Sequence, residues 1–192
     1  MTNIFKELFY PICTDLHAAA ATYLISSILP ALLALVTFDT TYLLLYRRKR
    51  KSTEVFRKSS QFLLYLLFFY LAFAFYLTVL SRPPGSRTRV DLMPFATMSL
   101  RAAGNVYAAE NILLFIPFGF LYRLLPFTAN KLGRCFRSGI ILSVFIEMVQ
   151  FITGRGYLQT DDVILNAFGC IIGYIIGNQL IKLTDSLLLR SG

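Results

Sequence analysis

The sequence predicts an all-α fold: a polytopic transmembrane helix bundle of about five spans, preceded by a short N-terminal interfacial helix. Three observations predict it. Of 192 residues, 56% are hydrophobic and only 15% charged, the mean hydropathy is +0.62, and apolar runs of membrane-crossing length recur with basic residues between them. A chain this apolar needs lipid around it. Five spans of roughly 20 residues each would use most of it, leaving no room for a separate soluble enzyme. The net charge of +9 would raise the question of nucleic acid in a soluble domain. Here the basic residues punctuate apolar segments, as topology signals do, so the expected partner is the bilayer and not nucleic acid.

The elements follow in order. Residues Met1 to Cys13 mix Phe, Leu, Tyr and Ile with Lys6 and Glu7. Without a long apolar centre, this segment reads as an interfacial helix and not as a cleavable signal. Residues 18–46 form the first span, stopped by the block Arg47-Arg48-Lys49-Arg50-Lys51. Residues 61–80 carry no charge and fit a hydrocarbon core of about 30 Å. Ser81-Arg82-Pro83-Pro84-Gly85 then breaks regular structure, because two prolines and a glycine cannot continue a helix, and a loop is expected to about Tyr107. Further spans are predicted near 111–127, 138–153 and 163–181. The chain thus divides into an N-terminal part with its basic loop (1–59), a main transmembrane domain (60–182) and a C-terminal tail (183–192). The three cysteines are too few for a disulfide framework and are read as free and structural.

Thirteen of the nineteen Lys and Arg residues fall on one side of this arrangement and six on the other. The positive-inside rule then puts the C-terminus in the cytoplasm and the N-terminus outside, in a multi-pass protein of the cell membrane. The long loop and the turn at Arg155 share the outer side.

Ionisable groups within spans cost at least about 2.5–3.5 kcal/mol near mid-helix, so each calls for a partner or a wet cavity. Asp39 and Arg123 sit where they can reach the inner interface, and are read as structural. Glu147 lies too deep for that. Ser143, Glu147, Gln150 and Gly154 recur at offsets of four, three and four and share one helical face. Asp162, Asn166, Gly169, Gly173 and Gly177 repeat the pattern on the last span, polar at its outer end and glycine-rich below. Close-packing glycines explain the lower part. Asp161 adds a second carboxylate beside Asp162, a pair that calls for a cation, and Arg155 across the turn is the expected one. Glu110-Asn111 opens the third span, which Pro117 and Gly119 interrupt. Glu110, Asn111, Glu147, Gln150, Arg155, Asp161, Asp162 and Asn166 are therefore expected to converge on the outer half of the bundle, with Arg82, Asp91 and Arg101 of the long loop above them. Such a site suits an amphiphile with a polar head and an apolar tail.

Two chemistries compete. As a binding component the protein needs no cofactor. As an intramembrane enzyme on a lipid-linked or phosphate-bearing head group it would use Glu147 as acid or base, with Arg155 on the phosphate. Asp161 and Asp162 are weak metal candidates, since a hard cation asks for more oxygens than two carboxylates supply. The only histidine, His17, is remote from this cluster, so no Ser-His or Cys-His pair supports nucleophilic catalysis.

Four motifs in order, Asp91-Leu92-Met93-Pro94-Phe95, Asn111-Ile112-Leu113-Leu114-Phe115-Ile116-Pro117-Phe118-Gly119, Glu147-Met148-Val149-Gln150 with Gly154-Arg155, and Asp161-Asp162-Val163-Ile164-Leu165-Asn166 with Gly169, resemble the VanZ-like membrane family over residues 60–180. The family's namesake is associated with low-level resistance to teicoplanin, a glycopeptide bearing a fatty acyl chain. The resemblance thus implies a non-enzymatic envelope component whose ligand is an amphiphile such as a lipoglycopeptide. It implies nothing for the first span, and none of these readings fixes an oligomeric state.

Overall fold

The computed structural model describes residues 10–46, 58–85, 90–93, 102–128 and 131–191. Five helices dominate these: α1 (Tyr10–Tyr46), α2 (Lys58–Phe75), α3 (Ala102–Leu124), α4 (Leu132–Ile152) and α5 (Thr160–Ser191). Four of them, α1, α2, α4 and α5, are both long and apolar enough to cross a membrane, and the chain is a membrane protein. The remaining helix, α3, is 23 residues long, about 34 Å at 1.5 Å per residue, and carries Glu110, Asn111 and Arg123 along it.

Packing explains the order of the layers. Helix α5 is the centre, lying along α3 over most of its length and against α4 on another side, while α1 and α2 form an outer pair. Only 11% of the apolar stretch of α1 is buried, against 44% in α5. Leu24, Ile25, Leu29, Leu33 and Val36 are exposed on α1, a surface that water would not tolerate and lipid would. The main core gathers Val79, Phe115, Phe118, Cys135, Ile146, Cys170 and Tyr174, and a second cluster around Leu64 and Leu125 joins α1 to α2. Cys135 and Cys170 are free and buried, their Sγ atoms 3.0 Å apart.

The α3–α5 contact depends on glycine. A Cβ at Gly119 would strike the Cys170 carbonyl, one at Gly169 the Ile112 carbonyl, and one at Gly173 the Ile116 carbonyl. The two backbones touch there, as small-residue spacing permits. Pro117 takes an N–H from the middle of α3, and one residue along from the Leu113 carbonyl that it leaves without a helical donor, the Tyr70 hydroxyl of α2 donates to the Leu114 carbonyl and ties α2 to α3.

Several boundaries differ from expectation. Most of the expected interfacial helix, residues 1–9, lies outside the described residues, as does Arg101. From Tyr10 the chain is one helix running through Pro30 into the first span. Helix α3 begins at Ala102, inside the segment read as loop, and α5 continues to Ser191 instead of stopping near Ile181. No proline or glycine lies between Ile181 and Ser191 to stop α5 where expected. Arg123 does not snorkel. It is buried, its Nε and Nη2 donating to Asn178 Oδ1 at 3.1 and 3.0 Å with the guanidinium over the Tyr174 ring. Asp39 accepts from Gln61 Nε2 of α2 at 3.2 Å.

Candidate functional site

The polar cluster forms at the end of the bundle where α2 stops, α3 and α5 begin and α4 turns back. Helix α2 ends in a wide π-type turn, Tyr76–Leu80, closed by the Ser81 N–H on the Tyr76 carbonyl at 2.9 Å. A widened turn leaves carbonyls without helical partners. Two side chains supply them: Gln150 Nε2 donates to the Thr78 carbonyl at 2.8 Å, and Arg155 Nη1 to that of Val79 at 3.0 Å. Both were candidate ligand residues; Gln150 ties the end of α2 to α4, and Arg155 ties it to the turn after α4.

The turn after α4 is tight. Gly154 takes a positive φ of 64°, and a Cβ there would lie 3.0 Å from the backbone of Gly85, itself at φ 75°. The double-proline segment thus packs directly on this turn, which places the neighbouring Arg82 over the bundle end. Beyond it, Val90–Asp91 pairs in parallel with Leu158–Gln159, and Thr160 Oγ1 donates to the Leu92 carbonyl at 3.2 Å. Asp91 uses its Oδ1 locally, accepting from the Met93 N–H at 3.2 Å. This two-residue ladder, unforeseen within an expected loop, ties the long loop to the start of α5.

Beneath the ladder lie the carboxyls. Glu147, 3% exposed, accepts from the Gln159 N–H at 3.1 Å through Oε2 and faces the Asp162 carboxyl of α5. Asp162 accepts from Asn111 Nδ2 of α3 at 2.7 Å. One turn further in, Asn166 Nδ2 donates to Ser143 Oγ at 2.8 Å. Asp161 is buried. The cation acting on Glu147 and Asp162 is Arg82, not Arg155 as expected. The guanidinium of Arg155 is turned to the end of α2, and the proline turn delivers Arg82 in its place. Arg82 and Asp91 were expected above the site and Asn111, Glu147, Asp162 and Asn166 within it, and these do meet at one bundle end. No group of three or more His, Cys, Asp or Glu suited to a metal occurs among the described residues.

Beside this cluster opens a cavity of about 680 Å³ between α1, the end of α2 and α3. Its wall is apolar along Ile12, Tyr23, Phe73, Leu77, Leu113 and Leu114, and its polar end is formed by Ser81, Arg82, Glu110 and Asn111. Glu147 does not line it. Asn111 stands between, one face on the cavity and its amide on Asp162. The walls supplied by α1, notably Ala18, Thr22 and Tyr23, were missed because that span shows no polar stripe to mark an inward face.

Neither curated proteins nor solved structures give a match to this chain. The sequence model of the VanZ/LLP1 family matches residues 62–182, a stretch that takes in Arg82, Asn111, Glu147, Asp162 and Asn166 and leaves out α1. Covering well over half of the sequence, it establishes that the chain belongs to the VanZ/LLP1 family.

Proposed function

We propose that this protein is a non-enzymatic envelope component that binds an amphiphile at the outer leaflet and so contributes to low-level resistance to teicoplanin-like lipoglycopeptides. The observation that carries the reading is the cavity, whose apolar wall suits an acyl chain and whose Arg82, Glu110 and Asn111 end suits a polar head. Pockets of this volume ordinarily bury most of a small ligand and use few polar groups to orient it. Tyr107, Phe151 and Tyr157, exposed near the same end, would anchor it at the membrane–water boundary.

Cells expressing the protein are expected to gain protection against teicoplanin and none against vancomycin, which lacks the acyl chain. Equal protection against both would remove the amphiphile from the account. The buried Glu147–Asp162 contact favours a second reading, an intramembrane enzyme acting on a lipid-linked head group with Glu147 as acid or base. Glu147→Gln separates the two, because it keeps volume and hydrogen bonding but cannot ionise. Under the binding reading protection is mostly retained, whereas loss of a catalytic acid or base costs about 100-fold or more.

The orientation is testable with a native thiol. Cys13 is exposed while Cys135 and Cys170 are buried. With the N-terminus outside, a membrane-impermeant maleimide added to intact cells should label Cys13 alone, and labelling only after lysis would invert the topology.

A further inference from the structure

Below the ladder, four side chains form a square between α4 and α5. Ser143 and Glu147 are one turn apart on α4, and Asp162 and Asn166 one turn apart on α5. The rungs are the Ser143–Asn166 hydrogen bond at 2.8 Å and the facing carboxyls of Glu147 and Asp162. Ser143, Glu147 and Asn166 are each at most 3% exposed. The amide donors around this square are spent on its own oxygens: Gln159 N–H on Glu147, Asn111 Nδ2 on Asp162, Asn166 Nδ2 on Ser143. Among the described residues, Asn166 Oδ1 is the one buried side-chain oxygen or nitrogen without a partner. Such an atom is costly in an interior and more so in a membrane.

The imbalance therefore has a sign. Two carboxyls face each other with one guanidinium, Arg82, acting on both, and Asp161 adds to the negative field on Asp162, so what is left over with the pair ionised is acceptor oxygen and negative charge. A donor-poor, oxygen-lined recess with uncompensated negative charge matches a small hard cation. We propose that Ser143, Glu147, Asp162 and Asn166 bind one sodium ion between α4 and α5, with Asn166 Oδ1 and the facing carboxyl oxygens as its ligands. The ion would sit between the two carboxyls and give Asn166 the partner it lacks. A monovalent ion fits because Arg82 already balances one of the charges of the Glu147–Asp162 pair. The proposal is independent of the amphiphile reading, since none of the four residues lines the cavity.

The test uses the purified full-length protein in detergent with choline as the only other cation. Radioactive sodium should bind saturably at about one ion per chain and be displaced by unlabelled sodium but not by choline, and sodium should raise the melting temperature by about 3 °C or more. Asn166→Leu, similar in size and without the oxygen, should lose both effects. Should that variant misfold, Ser143→Ala, a smaller change, should weaken binding about tenfold. Wild-type protein that binds no sodium saturably overturns the proposal, leaving a proton or water as the occupant, and so does full binding by Asn166→Leu.

Discussion

Replacing Gly173 with leucine should leave almost no folded protein. The added Cβ meets the Ile116 carbonyl and the Phe120 amide of α3, and a helix backbone cannot step aside as a side-chain end can. Overpacking in a tight core costs about 1–3 kcal/mol where side chains absorb it. Here α3 and α5 must separate, with loss of contacts along the most extensive interface in the molecule, so even Gly173→Ala should cost about 2 kcal/mol or more. Gly133 is the control. It lies in the first turn of α4 with nothing within 4 Å of a built Cβ, and Gly133→Ala should be neutral or stabilise by up to about 1 kcal/mol through helix propensity. Thermal unfolding in detergent reads both. A Gly173→Leu protein with wild-type stability would mean that α3 and α5 do not meet as described.

The second large effect is expected at Ala18, exposed on α1 and part of the cavity wall. Ala18→Trp should leave the fold intact, because the new ring enters open space and displaces no core side chain. It should nevertheless abolish protection against teicoplanin. Denying the groove to as few as four methylenes of an acyl chain costs about 3 kcal/mol, roughly 100-fold in affinity. Unchanged protection by a well-expressed Ala18→Trp protein would move the amphiphile elsewhere.

How much of this was legible in the sequence follows from what periodicity can carry. Helical offsets place Glu147 with Ser143, and Asp162 with Asn166, because an interior-facing polar residue in lipid has one tolerable direction. The glycine ridge is equally readable, since closely packed helices require small residues at that spacing. Loop conformation is not periodic. That Arg82 and not Arg155 stands over the carboxyls depends on Gly85 and Gly154 packing backbone to backbone and on a π-type turn whose carbonyls claim Gln150 and Arg155. Two helix ends lie beyond their expected limits, at Ala102 and Ser191, and between Ile181 and Ser191 no proline or glycine marks a stop. Arg123 escaped for another reason: its partner Asn178 lies 55 positions on, a pairing that only the α3–α5 register decides. The cavity is a gap, and a sequence pattern records surfaces better than the spaces between them.

The most direct measurement is photo-crosslinking of a lipoglycopeptide analogue with a photoreactive group at the end of its acyl chain, followed by mapping of the labelled peptides in wild-type protein and in Ala18→Trp. Label is expected on the cavity walls of α1, α2 and α3, near Tyr23, Phe73 and Leu114, and is expected to be lost in the variant. Label confined to the outer faces of α4 and α5, or unaltered by the tryptophan, would contradict it.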